Sequence, residues 1–288
     1  MTADEVVTEL DQVVELIGGS PRAGQQAMAR AVAEAFETGE HAVVQAGTGT
    51  GKSLAYLVPA AIHARSRGPV VVATATLALQ RQLIERELPR LRAAGMETTW
   101  AVLKGRHNYL CRQRLGDAQE AQQSLEFEDS RRRGTLEEQA VAVHEWAQST
   151  LTGDRDDLPI EVDPRVWRSV SVSSAECVGE SRCAFGEECF AARARIQAHE
   201  SDIVVTNHAM LAIDAIESVP ILPEYSAMVI DEAHELIDRI TGAVSRELAI
   251  PVLERLANEA DRILDDEAAL ADAITDLESA LWELPGDS

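Results

Sequence analysis

Lysine is nearly absent from this 288-residue chain, occurring only at Lys52 and Lys104 against 24 arginines. Long apolar runs are absent too. Nowhere do about 18 consecutive apolar residues occur, so no segment reads as a bilayer-spanning helix. The start, MTADEVVTEL, has neither the basic nor the apolar stretch of a secretion signal. Both absences point to a soluble cytoplasmic protein without a membrane partner. Cysteine is scarce: four residues are too few for a secreted disulfide scaffold, and reduced thiols serve more often as metal ligands or core residues. Basic charge is also missing. A net charge of -23 opposes binding of a polyphosphate backbone, which needs Lys and Arg to displace counterions. The acid is concentrated at the ends. Residues 1–18 hold five acids and no base, and residues 251–288 hold eleven acids against Arg255 and Arg262, so the ends supply -14 of the total. Such stretches read as solvated faces.

The 45% hydrophobic content suffices for one large core, or a main core with smaller lobes, and excludes wholesale disorder. Short β-branched runs alternate with helical patterns, the signature of a parallel sheet covered by helices. The candidate strands are His41 to Ala46, Pro69 to Ala73, Thr98 to Leu103, Ile203 to Thr206 and Ala227 to Ile230. Three-four spacing of apolar residues predicts helices over Ser53 to Arg67 and Leu77 to Ala94. The rhythm breaks between about 111 and 200, where Gly, Pro, Ser and charge clusters appear and all four cysteines fall. This reads as an inserted lobe, in which Arg131, Arg132 and Arg133 sit beside Glu126, Glu128 and Asp129 as a solvated loop. From Val252 to Leu284 there is no Gly or Pro. A seven-residue apolar repeat from Leu253 to Leu284, broken by Glu267, predicts one long amphipathic helix or a hairpin whose stripe needs a partner.

Ala46-Gly47-Thr48-Gly49-Thr50-Gly51-Lys52-Ser53 follows a predicted strand and opens a predicted helix, the context a phosphate loop requires. Glycines let backbone N–H groups converge on phosphate oxygens, and the helix start adds positive partial charge. Lys52 reaches the outer phosphates and the Ser53 hydroxyl ligates Mg2+. With only one other lysine in the chain, Lys52 is not compositional drift. A phosphate loop also needs an acid for the metal and a group that activates water, normally at the end of a neighbouring strand. Asp231-Glu232-Ala233-His234 follows the apolar run Ala227 to Ile230, so Asp231 would reach the metal and Glu232 would be the base. An acidic helix start favoured by the macrodipole is the plainer alternative for that tetrapeptide.

Taken together, Gln45 to Ser53 and Asp231 to His234 resemble superfamily 2 helicases. More of the chain is similar to one branch. Pro21-Arg22-x-x-Gln25 resembles the adenine-reading segment. Thr74 to Leu83, with Thr76 and Gln80, resembles the segment that grips the DNA backbone. Lys104 to Cys111 and Val204 to Leu211, with Asn207, resemble the stretches bracketing an iron-sulfur lobe in DinG and XPD-like helicases. The resemblance runs from about residue 16 to 250. It implies an α/β fold: a RecA-like parallel sheet with helices on both faces, an inserted four-cysteine lobe and the start of a helical, arch-like insertion. The implied domains are 1–110 and 201–240 for the motor, 111–200 for the lobe and 241–288 for the arch. The implied activity is ATP-dependent, 5′ to 3′ translocation and unwinding of single-stranded or forked DNA in repair or replication. ATP and Mg2+ are its cofactors, with Thr76, Gln80 and Asn207 on the DNA.

The cysteines bear on that branch by themselves. Cys111 stands alone, while Cys177, Cys183 and Cys189 follow at six-residue steps. Four thiolates suit a 4Fe-4S cluster or a structural zinc. Zinc sites usually place cysteine pairs two to four residues apart, so five intervening residues fit zinc less well than a cluster, which tolerates wider spacing. Unrelated buried cysteines remain the third reading. By resemblance the cluster is structural, beside the channel for single-stranded DNA; His107, Tyr109 and Trp167 could stack on bases there or simply pack the lobe.

Members of this family supply arginines from a second motor domain, whose loss can cost about 10³ to 10⁵ in rate. The present sequence ends inside what resembles the arch, so these residues alone are expected to bind nucleotide weakly and unwind nothing, and a second chain could complete them. A non-catalytic nucleotide- and nucleic-acid-binding module and a magnesium nuclease using Asp231 and Glu232 are the competing readings.

Overall fold

The computed structural model describes residues 2–47, 49–116, 130–216, 220–245, 272–277 and 279. Four parallel strands carry the fold: β1 Val70–Thr74, β2 Trp100–Val102, β3 Ile203–Asn207 and β4 Ala227–Ile230, in the spatial order β2-β3-β1-β4. Register sets Val70 beside both Ile203 and Ala227, and Trp100 beside Ile203. β1 reads Val-Val-Val-Ala-Thr because it is buried on both faces, which removes the polar alternation of a one-sided strand. Period two then divides its valines. Val70 and Val72 join one apolar cluster with Ile203 and Val205, and Val71 joins another with Val204, Ala101 and Leu103.

Helices cover both faces, as the strand-helix rhythm predicts. On the first face lie α1 (Ala3–Leu16), α2 (Ala23–Thr38), α3 (Lys52–Arg67), α4 (Leu77–Gln82) with the π turn Leu83–Glu87, and α5 (Leu88–Ala93). The α1 helix starts at a capping box between Thr2 and Glu5 and turns Val6, Leu10, Val13 and Val14 into this core. Its acids face outward or bind α2, where Arg30 meets Asp4 at 2.8 Å. The acidic amino-terminal stretch is thus the wet face of a packed helix. Between Leu77 and Ala93 the single helix expected from periodicity contains a π turn. The five-residue step from Leu83 to Leu88 would rotate an apolar position off the core in a regular helix, and the extra residue per turn brings both inward. On the other face pack Ala198 of α8 (Phe190–His199) and Met210 of α9 (His208–Ile216).

One expected strand is missing. Residues 41–46 form no strand, and Val43 is 99% exposed. Valines make a strand only beside a neighbour that supplies ladder hydrogen bonds. Among the described residues the sheet ends at the half-buried β4, and 41–46 pairs with nothing.

Between β2 and β3 a second apolar cluster forms around Tyr109, Leu110, Val143, Trp167, Val170 and Phe190, using α6 (Ser130–Ser149), α7 (Pro164–Ser169) and the start of α8. Among the described residues it contains no strand. Two isolated antiparallel bridges, Tyr109 with Asp154 and Leu110 with Ser171, tie it to the segment leaving β2. Met1–Ala243 make one unit and Val244–Ser288 another. In the second unit residues 272–277 are helical, while the rest of the Leu253 to Leu284 stripe lies outside the described residues, as do Glu126, Glu128, Asp129 and the side chains of Arg131, Arg132 and Arg133. α10 (Leu236–Val244) follows β4.

Gly153 has φ +61, and a Cβ there would run into the Phe190 ring, while its carbonyl accepts from Leu110 N–H at 2.8 Å. Gly153→Ala is therefore expected to destabilise this cluster by about 1–3 kcal/mol, read as a lower thermal midpoint; an unchanged midpoint would mean the contact yields freely.

Candidate functional site

The phosphate loop is shaped by two glycines in the left-handed region, Gly49 at φ 74 and Gly51 at φ 84. Gly51 precedes α3, whose first residue is Lys52. A sixteen-residue helix starting there aims unpaired N–H groups and positive partial charge at the loop. α2 braces the loop from behind. Arg22 donates to the Gly49 carbonyl, and Gln25 donates to the Gly51 carbonyl at 3.0 Å. In a trans peptide the N–H points opposite the C=O, so the N–H groups of Thr50 and Lys52 face away from α2, where an anion would sit. Thr50 closes the turn through its hydroxyl onto the Gly47 carbonyl at 2.8 Å. Thr48 lies outside the described residues. Arg22 and Gln25, expected to read adenine, here hold loop carbonyls.

The acids arrive from the end of β4. Asp231 N–H donates to the Ala73 carbonyl at 2.8 Å, so the β1–β4 ladder extends one residue past the strand. Beyond it, Glu232 adopts φ 53, the one non-glycine at positive φ among the described residues. That conformation costs energy for a residue with a Cβ, and here it turns the carboxylate back toward α3. Lys52 Nζ meets Glu232 Oε1 at 2.6 Å. Each holds the other charged: the bond from Glu232 raises the Lys52 pKa, and the bond from Lys52 lowers that of Glu232. His234 Nδ1 stands 3.5 Å from Glu232 Oε2 and is largely exposed.

Two further side chains complete the arrangement. Tyr56, one helical turn after Lys52, is buried and donates its hydroxyl to Asp231 Oδ2 at 3.1 Å, and the same hydroxyl meets Ser53. Burial, and then the Asp231 charge, push its pKa well up, so it stays a donor. His208 is fully buried, and its Nε2 bonds the Asp231 carbonyl at 2.9 Å. Burial lowers its pKa, so the ring is neutral with the proton on Nε2. Tyr56 was legible only as an i+4 neighbour of Lys52, and His208 only as the residue after Asn207.

Lys52, Ser53, Asp231, Glu232 and His234 are therefore brought together, while the proposed DNA residues divide. Thr76 caps α4 by accepting from Leu79 N–H at 3.3 Å, and Asn207 accepts from Met210 N–H at 2.9 Å at the start of α9. Both lie at the carboxyl ends of parallel strands, where open α/β sheets bind ligands. Gln80 does not reach that surface; it is wholly buried.

Cys111, Cys177, Cys183 and Cys189 all line one cavity of about 180 Å³, half-buried and free of disulfides. Burial raises the Cys111 pKa, with the Cys183 and Cys177 thiols adding smaller effects. Three arginines on the same cavity are held by acids: Arg114 to Glu176 at 3.4 Å, Arg112 to Glu188 at 3.4 Å and Arg106 to Glu180 at 3.8 Å. Among the described residues no three His, Cys, Asp or Glu side chains stand close enough to share one metal ion. Four cysteines on one cavity supply the donor set that a 4Fe-4S cluster or a structural zinc takes.

Residues 24–124 match the DEAD/DEAH box helicase family. The chain is 50% identical over 264 residues to the ATP-dependent helicase DinG of Mycobacterium tuberculosis, a match covering 88% of this chain and 40% of that protein. It is 36% identical over 248 residues to the ATP-dependent DNA helicase YoaA of Escherichia coli, covering 84% of this chain and 37% of the relative. With the ATP-dependent DNA helicase DinG of Salmonella choleraesuis it shares 35% over 248 residues, 79% of this chain and 33% of the other. The chain thus spans about two fifths of the length of the first of these relatives.

A phosphate bound by Lys52 would compete with Glu232 for its ammonium. Glu232→Gln is expected to tighten nucleotide binding a few-fold in a fluorescent-nucleotide titration, because the lysine no longer leaves a charged partner; unchanged or weaker binding would count against this competition. A carboxylate with a lowered pKa contributes its stabilisation above its ordinary value of 4.5 and loses it as pH falls through the lowered value. The raised Lys52 pKa places its loss at strongly basic pH, so the pair is expected to persist unchanged across neutrality.

Proposed function

Since the chain carries a DEAD/DEAH box helicase domain, we propose that it is the nucleotide-binding portion of an ATP-dependent DNA helicase that moves 5′ to 3′ on single strands in repair or replication. The observation that carries this reading is the Lys52–Glu232 contact at 2.6 Å, with Asp231 held beside it by Tyr56. A phosphate-binding lysine, a metal-binding acid and a base for water meet at one helix start, which is the equipment of phosphoryl transfer to water.

The residues then take these roles. Gly47 to Gly51 wrap the outer phosphates with backbone N–H groups, and Lys52 neutralises their charge. The Ser53 hydroxyl and the Asp231 carboxylate would hold Mg2+, which when bound neutralises charge on the outer phosphates. Tyr56 keeps both ligands in place. Glu232, released by Lys52, accepts the proton of the attacking water, and His234 steadies its second oxygen. By resemblance, Arg22 and Gln25, whose side chains hold loop carbonyls, would read the base of ATP. Thr76 and Asn207 offer hydroxyl and amide groups to the DNA backbone.

The proposed organisation is a motor from 1–110 and 201–240, a cysteine lobe over 111–200 and an arch-like insertion over 241–288. Cys111, Cys177, Cys183 and Cys189 would hold a 4Fe-4S cluster that fastens the lobe. Its partners would be single-stranded or forked DNA and a second motor domain, in this polypeptide or in another chain, that supplies arginines to the phosphates.

Lys52→Ala is expected to abolish DNA-stimulated ATP hydrolysis; a cellular function that survives it without ATP would favour the non-catalytic binding module. Anaerobically purified protein is expected to carry about four iron and four acid-labile sulfide per chain, both reduced by Cys183→Ser, whereas zinc without sulfide would replace the cluster.

A further inference from the structure

Among the described residues His208 is the only buried histidine. Its Nε2 donates to the Asp231 carbonyl at 2.9 Å, and its Nδ1 is buried with no hydrogen-bond partner among the described residues. A leucine would fill this space without an orphaned acceptor, so packing alone gives no reason for an imidazole here. The single bond it makes spans the sheet. His208 opens α9 directly after β3, Asp231 follows β4, and β1 stands between those two strands. The Asp231 carbonyl and the Glu232 N–H belong to one rigid peptide plane. Turning that plane changes φ of Glu232, whose value of 53 aims the carboxylate at Lys52. Two contacts fix it: His208 holds its oxygen, and its N–H donates to Asp231 Oδ1 at 3.1 Å. The Ala73 carbonyl, which accepts from Asp231 N–H, fixes only the plane before it.

We propose that His208 is a positioning residue for the magnesium-nucleotide complex, holding the Asp231–Glu232 peptide in place while Lys52 and the Asp231 carboxylate turn to their ligands. Once Lys52 goes to the phosphates, Glu232 loses the ion pair that draws it inward. Once the Asp231 carboxylate goes to Mg2+, its bond to the Glu232 N–H has a competitor. The bond from His208 to the Asp231 carbonyl uses no group that either ligand takes, so it outlasts both exchanges. Without it the plane can turn, because a left-handed conformation at a residue with a Cβ persists only under such restraint. The proposal rests on the phosphate and metal roles given above to Lys52, Ser53 and Asp231. Loss of His208 leaves the phosphates their loop and their lysine, so it appears in what the metal adds to binding and not in nucleotide binding as such.

The test titrates the whole chain with methylanthraniloyl-ATP, once in Mg2+ and once in EDTA, and compares the two affinities. Mg2+ is expected to tighten binding by the wild type, and Asp231→Asn is expected to remove that gain. His208→Leu should lose about ten-fold of the gain, the size of effect that partners of metal ligands have, while its affinity in EDTA stays that of the wild type. His208→Gln, whose amide N–H has a reach similar to that of Nε2, should keep the gain. A His208→Leu variant with the full gain overturns the proposal and leaves the reading of the site intact. So does equal weakening with and without Mg2+, which is what a general folding defect produces, or a His208→Gln variant that behaves like His208→Leu. No gain in the wild type, or a gain that survives Asp231→Asn, overturns the metal role of Asp231 and the proposal with it.

Discussion

Lys52 and Glu232 lie 180 positions apart in the chain and 2.6 Å apart in space, and the parallel sheet exists to close that gap. β1 and β4 run side by side in register, with Asp231 bonded to Ala73, so the end of β4 is fixed relative to the start of the helix that follows the phosphate loop. Neither charge brings the elements together. Both are about a quarter exposed, and an ion pair of that kind contributes little to folding. The valines of β1, buried on both faces, supply the driving force, and the pair states where it delivers the functional groups.

The strain at Glu232 follows from the same constraint. A carboxylate on the next residue of a regular strand would point across the sheet, and the left-handed backbone at φ 53 swings it to the lysine. Such a conformation persists only when its surroundings over-determine it. Here they do: Ala73 and His208 hold the Asp231 peptide on both sides, and Tyr56 and the Glu232 N–H hold the two Asp231 oxygens. His208 belongs to α9, one residue beyond Asn207 at the end of β3. The ends of β3 and β4 are therefore joined through one neutral imidazole.

Much of this was legible in the sequence, for physical reasons that also explain the failures. The runs Val70 to Thr74, Ile203 to Asn207 and Ala227 to Ile230 are short, β-branched and separated by helical periods, which few folds other than a covered parallel sheet accommodate. Gly49, Gly51, Lys52 and Ser53 announce a loop geometry that almost no other residues permit. The run 41–46 carries the same valine signal yet makes no strand, because pairing depends on a neighbour and a local pattern cannot report one. The α1 helix was hidden behind its acids, whose number drew attention from the i, i+3, i+4 valines beneath them. Gln80 lies on a helix next to exposed residues, so its spacing could not reveal that its amide faces inward. The roles of Tyr56 and His208 could not be read from their spacing, because Asp231, far along the chain, fixes both.

Lysine scarcity gains a second meaning from the structure. Lys104, the other lysine, is 7% exposed and pairs with Asp154 and Asp156, joining the end of β2 to the cysteine lobe. Burial raises the Asp154 pKa against the pull of that ammonium, so desolvation outweighs attraction at this carboxyl, and the pair is a poor source of stability. What such a buried contact does well is discriminate, since a misplaced lobe would leave one charge without its partner. In both places a compact ammonium on a long flexible stem reaches a carboxylate across elements distant in sequence. Lys52 fixes the nucleotide pocket to β4, and Lys104 fixes the lobe to the same sheet.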